Sequence, residues 1–84
     1  MPKVEWEEEA LDDLAKIDRP IAKRILNKIS WFSQYFDAIT PEPLSADMAG
    51  LFKLRVGDWR IVYEIRRDVI VIKAVGHRSE IYRL

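Results

Sequence analysis

The sequence predicts an α+β domain in the order β-α-α-β-β-β, a helical hairpin packed on one face of a small antiparallel sheet. Three observations predict it. Residues 3–6 alternate polar and apolar, residues 7–36 carry two helical periods parted by Pro20, and residues 51–75 hold three β-type runs separated by turn residues. Eighty-four residues leave room for one domain, spanning 1–84.

Lys3-Val4-Glu5-Trp6 suits a short strand with Val4 and Trp6 facing inward. From Glu7 the period changes, and Leu11, Leu14 and Ile17, with Ala10 and Ala15 beside them, form one stripe of a short helix. Glu7, Glu8 and Glu9 sit in its first turn, where carboxylates meet the positive end of the helix dipole. Pro20 disfavours helical geometry at Arg19 but fits the first turn of a second helix, so the boundary falls at Asp18 or Arg19. That helix runs to about Phe36. Ile21, Ile25, Ile29, Phe32 and Phe36 make the face it must bury, while Lys23 and Lys28 read as a solvated one.

Residues 37–50, with Pro41, Pro43 and Gly50, read as a loop. Strands are expected at 51–56, 59–66 and 69–75. Gly57-Asp58 has the glycine-first chemistry of a type II′ hairpin turn, and Arg67-Asp68 supplies a second turn. Gly76 is expected to end the last strand.

Composition narrows the function. Apolar residues make up 49% of the chain and charged residues 33%, a globular balance rather than a disordered one. The absence of cysteine excludes disulfides and thiolate metal sites, and a single histidine, His77, argues against a histidine-built one. No cofactor is expected. No apolar run approaches the ~20 residues of a membrane span, and the acidic start lacks the plan of a signal peptide, so a cytoplasmic protein without membrane contact is expected. Net charge is zero but unevenly spread: residues 1–15 and 37–50 are acidic, residues 16–36 and 51–84 basic. Screening acts over ~8 Å at physiological salt, so an anion meets these local fields separately.

The hairpin fixes a register. A two-residue turn sets Val56 opposite Trp59, Arg55 opposite Arg60, Leu54 opposite Ile61 and Lys53 opposite Val62. Phe52, Leu54, Val56, Trp59, Ile61 and Tyr63 then form the apolar face for the helices. Lys53, Arg55, Arg60 and Val62 fall on the other, with Glu64 toward its far end; a second tight turn adds Val71, Lys73 and Val75. Like charges directly opposite destabilise a strand pair by a few tenths of a kcal/mol or more. Such a face is either solvated, its long side chains covering apolar neighbours, or a polyanion site in which arginine forks and a lysine grip phosphate oxygens. The tail adds His77, Arg78 and Tyr82 at the sheet end. Trp6, Trp31, Tyr35, Phe36 and Trp59 read as core and edge residues without a chemical role.

Two segments carry a family likeness. Leu-Phe-Lys-Leu-Arg-Val-Gly-Asp-Trp-Arg-Ile-Val-Tyr (51–63) and Val-Gly-His-Arg-Ser-Glu-Ile-Tyr (75–82) resemble the RelE branch of the RelE/ParE toxin superfamily, the toxic half of toxin–antitoxin pairs. The resemblance spans essentially the whole chain and implies a RelE-like microbial RNase fold. It also implies a metal-independent endoribonuclease that cuts mRNA in the ribosomal A site, by attack of a ribose 2′-OH on the adjacent phosphodiester. Carried over by position, Lys53, Arg55 and Arg60 match the basic phosphate-binding residues, with Lys73 beside them on the sheet. Arg78 matches the arginine that supports the transition state, and Tyr82 the tyrosine linked to proton transfer or base stacking. His77 stands where members vary and is a candidate second acid/base. Leu51 departs from members that carry another lysine there. The implied partners are a RelB-like antitoxin and the ribosome. Two other functions stay open: a gyrase poison of the ParE branch, and an RNA- or partner-binding module without turnover.

Overall fold

A computed structural model describes residues 1–81. Strand β1 (Lys3–Trp6) leads into helices α1 (Glu8–Ala15) and α2 (Arg19–Gln34). A 3-10 turn (Phe36–Ala38) and the two-residue strand β2 (Glu42–Pro43) come next. Strands β3 (Phe52–Val56), β4 (Trp59–Arg66) and β5 (Val69–His77) complete the order. No described helix is long and apolar enough to cross a membrane. Asp18 is the N-cap of α2 and Pro20 sits in its first turn, where its missing N–H costs no helical hydrogen bond.

The sheet runs β1-β5-β4-β3-β2. Strands β2 to β5 are antiparallel to one another in turn, and β1 alone runs parallel, pairing Lys3 with Val69 through to Trp6 with Ile72. An N-terminal strand with no hairpin of its own has a free choice of direction, and the helical hairpin supplies the long crossover a parallel pair needs. The β3–β4 register is the expected one, from Val56↔Trp59 to Phe52↔Tyr63. Gly57 has φ +59 while Asp58 keeps a negative φ, the pattern of a II′ turn. Arg67 takes the corresponding place in the second turn at φ +57, without glycine's freedom.

The expected apolar face is the core. Ile25, Ile29 and Phe32 of α2 and Ala10 of α1 pack on Ile61, Tyr63, Ile70 and Ile72, with Phe52, Leu54 and Trp59 alongside. In α1 the small Ala10, not Leu11, meets the sheet; Leu11 is 49% exposed. Trp31 and Tyr35 are also exposed.

Three expectations are corrected on the other side of the sheet. Val62↔Ala74 is succeeded by Tyr63↔Ile72, so Lys73 is an extra residue on β5. This β-bulge shifts the parity of the strand on its far side: Val75 joins the helix-side core with Ile61, and Ala74 takes the place expected for it. The strand also continues through Gly76 to His77. Gly76 is there for close approach, since a Cβ on it would lie 3.0 Å from Ile81 Cδ1. Finally, segment 37–50 is only partly loop. Its Leu44 is buried with Val62, Ala74 and Ile81 in a second apolar cluster, bordered by Met48 and Leu51. The face opposite the helices is thus largely covered by the tail and the 44–51 loop.

Candidate functional site

The β3–β4 turn gathers most of the expected site at one end of the sheet. Arg55 pairs with Arg60, and Arg60 with Gly76; one rung further, Val56 pairs with Trp59, and Trp59 with His77. The backbone N–H of Arg78 donates to Asp58 O at 2.7 Å, tying the tail to the turn. Lys53 stands two residues further along β3.

Arg55 and Arg60 are strand partners, yet their guanidiniums part, so the three cations do not form the single side-by-side cluster expected of them. Arg60 is 9% exposed and folds back on the turn, where Nη1 donates to Gly57 O at 2.7 Å and to Trp59 O at 2.9 Å. Its Nε is buried without a hydrogen-bond partner, and among the described residues no carboxylate pairs with it. There the buried guanidinium meets carbonyl dipoles, while Arg55 turns to a carboxylate.

Lys53 and Arg55 converge instead on Glu42, which β2 sets opposite Lys53. Arg55 Nε donates to Glu42 Oε1 at 3.2 Å and Nη2 to Oε2 at 2.7 Å, a fork on a carboxylate. Lys53 Nζ lies 3.6 Å from the same Oε2. The hydrogen bond from Arg55 and the charges of both cations hold the Glu42 carboxyl below its ordinary pKa, against a smaller opposing effect of desolvation.

The other expected residues fall apart by function. Arg78 is exposed, its Nε 3.6 Å from Asp58 Oδ1. The His77 ring meets Trp59 edge-on, centroids 5.6 Å apart, on the helix side of the sheet rather than beside Arg60. The Ser79 backbone N–H lies 3.2 Å from His77 Nδ1 and the Ser79 hydroxyl 2.8 Å from the same nitrogen, fixing the ring against the tail. Lys73, at the bulge, donates to Glu7 Oε2 at 3.0 Å, away from the turn end. Tyr82 lies outside the described residues.

Two residues of this neighbourhood were not legible as site residues. Glu42 is a lone carboxylate between two prolines in what reads as a loop; only its flanking Pro41 and Pro43, which favour extended backbone, signal a strand. Arg24 of α2 comes to the turn, its Nη2 3.2 Å from where a Cβ on Gly57 would stand. An open groove of about 420 Å³ runs there, lined by Arg24, Asn27, Lys28 and Arg55. Lys28 Nζ also sits 4.2 Å over the Trp31 ring. Tyr63 contributes no base: burial, with the charge of Glu42 second, pushes its phenol up to about 12. As a whole the site can bind and neutralise phosphate oxygens; its carboxylate is a weakened base.

Known proteins share this arrangement of elements. The family model described as "ParE toxin of type II toxin-antitoxin system, parDE" matches residues 4–82. Toxin RelG of Mycobacterium tuberculosis (strain ATCC 25618 / H37Rv) is 41% identical over 44 residues, a match spanning 50% of this chain and 51% of RelG, about half the length of that curated relative. The RelBE2 toxin–antitoxin complex of the same organism contains a chain that superposes with a TM-score of 0.79 at 28% identity, covering 93% of this chain and 100% of that one. The isolated RelE toxin of E. coli shares the fold with a TM-score of 0.76 at 19% identity, over 99% and 93% of the two chains. On the match across residues 4–82, the chain belongs to the ParE toxin family of type II toxin–antitoxin systems and, within the RelE/ParE superfamily, to its RelE branch.

Proposed function

We propose that this toxin is a cytoplasmic, ribosome-dependent mRNA endoribonuclease, held in check by a RelB-like antitoxin and acting on mRNA in the ribosomal A site. In the reaction a 2′-oxygen loses its proton and bonds to the adjacent phosphorus. The P–O5′ bond breaks, and the 5′-oxygen takes up a proton, leaving a 2′,3′-cyclic phosphate. The observation that carries this reading is the Arg60 guanidinium: 9% exposed, with no carboxylate partner among the described residues, next to Arg55 on the neighbouring strand. A buried cation without a counter-charge costs stability, and a phosphodiester supplies the missing anion.

In this division of labour Arg60, Arg55 and Lys53 bind the phosphoryl oxygens, and Arg78, exposed at the turn, meets the charge that develops on them in the transition state. Proton transfer falls to Tyr82 or His77, with in-line geometry imposed by the ribosome. Free tyrosine titrates near ~10, so Tyr82 works as a base only where cations depress it. Lys73 is the weakest of the proposed RNA contacts, since it pairs with Glu7 away from the turn end where the other cations gather.

Primer extension on mRNA after induction in growing cells tests the reading. Cleavage by wild type that is lost in Arg78→Ala supports it; growth arrest without new mRNA ends opposes it. The ParE family match favours a second reading, poisoning of DNA gyrase. Inhibition of gyrase supercoiling by the purified chain, with no cleavage of ribosome-bound mRNA, would select it.

A further inference from the structure

Most ion pairs among the described residues join one cation to one carboxylate, but Glu42 serves two. Both of its oxygens lie on the Arg55 fork, and one also faces the Lys53 ammonium. Two carboxylate oxygens on a guanidinium reproduce the geometry in which the two non-bridging oxygens of a phosphodiester bind the same fork. The Lys53 side chain is only 14% exposed, so it needs a counter-charge whenever no ligand is present.

We infer that Glu42 is the resident occupant of this anion site, an internal stand-in for phosphate that an incoming phosphodiester must displace. The inference rests on reading Lys53 and Arg55 as phosphate contacts. The backbone is suited to such an exchange. Strand β2 is two residues long at the sheet edge, and Pro43 has no N–H to give to the ladder. The Glu42 side chain is 43% exposed, so water can receive the carboxylate once rotation about its own side-chain bonds takes it off both cations. With Glu42 in place the trio carries one net positive charge. With it displaced, two cations face the ligand. The occupant therefore weakens binding of a stray single phosphate more than of a strand that also engages Arg60 and Arg78, and so acts as a threshold on what the site accepts.

Binding of a six-nucleotide 2′-deoxy oligonucleotide, which offers phosphodiesters but no attacking hydroxyl, isolates this step from catalysis. Its Kd is measured by fluorescence anisotropy at low salt for wild type, Glu42→Gln and Glu42→Asp. We expect Glu42→Gln to bind roughly 5- to 20-fold tighter, with a log K against log salt slope steeper by ~0.7, the release expected for one more neutralised phosphate of a single strand. Glu42→Asp, too short to reach both cations, should fall between. Equal or weaker binding by Glu42→Gln overturns the inference, as does the absence of binding by all three proteins. In the wild type, the Arg55 Nε–H resonance should shift on titration with inorganic phosphate; an unmoved resonance at saturation is contrary evidence free of any folding effect of the substitution. Tightened binding in a protein that cleaves no mRNA on ribosomes would overturn the nuclease reading alone. Cleavage with unchanged Glu42→Gln binding would overturn this inference alone.

Discussion

Single residues at the two hairpin turns meet the same backbone demand at different cost. Gly57 and Arg67 both sit at positive φ, but only glycine adopts that region without a Cβ penalty. Arg67→Gly should therefore raise stability by about 0.5–1 kcal/mol in urea denaturation, the relief of strain exceeding the added freedom of the unfolded chain. Gly57→Ala should lower it by about 1–2 kcal/mol, because the new Cβ meets both the strained φ and the Arg24 guanidinium at 3.2 Å. Arg60 has a double role of a related kind. Its hydrogen bonds to Gly57 O and Trp59 O make it part of the turn as well as of the site, so Arg60→Ala removes structure and chemistry together. Arg55 and Arg78, both exposed, separate the two.

Among the elements, β1 depends on attachment more than on its own length. Four residues pair with β5, and Ser33 on α2 donates to Pro2 O at 2.8 Å from a buried position, fastening the strand to the helix. Ser33→Ala should cost about 1 kcal/mol and speed amide exchange in β1 ahead of β4 and β5. How much of this level was legible varies with the local chemistry. The β3–β4 register came from one glycine-first turn, because a two-residue loop leaves a single pairing open. The bulge at Lys73 did not, since Val71-Ile72-Lys73-Ala74-Val75 reads equally well as unbroken alternation. Strand β2 was hidden by its prolines and by a length too short for a period. The same gaps limited the site: the cations were visible as types and positions, but that Arg60 turns inward and that Glu42 bridges Lys53 and Arg55 depends on contacts between segments far apart in sequence.

At the scale of the whole molecule, the two faces of the sheet divide the work. The helix side supplies stability, with Tyr63 at 1% exposure between Phe32 and Phe52. Because burial raises its folded pKa to about 12 against ~10 for the unfolded chain, its contribution is intact below pH 10 and is lost as pH rises toward 12, the unfolded state ionising first. Tyr63→Phe should flatten the fall in urea midpoint between pH 10 and 12; an equal slope in both proteins would assign the alkaline loss to other groups. The turn end of the sheet supplies the cations, and its charge is what the toxin reading needs. The most direct measurement of that claim is single-turnover cleavage of mRNA on ribosomes programmed with an A-site codon, comparing wild type with Arg78→Ala and Arg55→Ala at matched stability. Cleavage by wild type is expected, with a loss of about 10²-fold for Arg78→Ala, or ~2.7 kcal/mol of transition-state stabilisation, and a smaller loss for Arg55→Ala. Wild-type rates retained by both variants would contradict that claim.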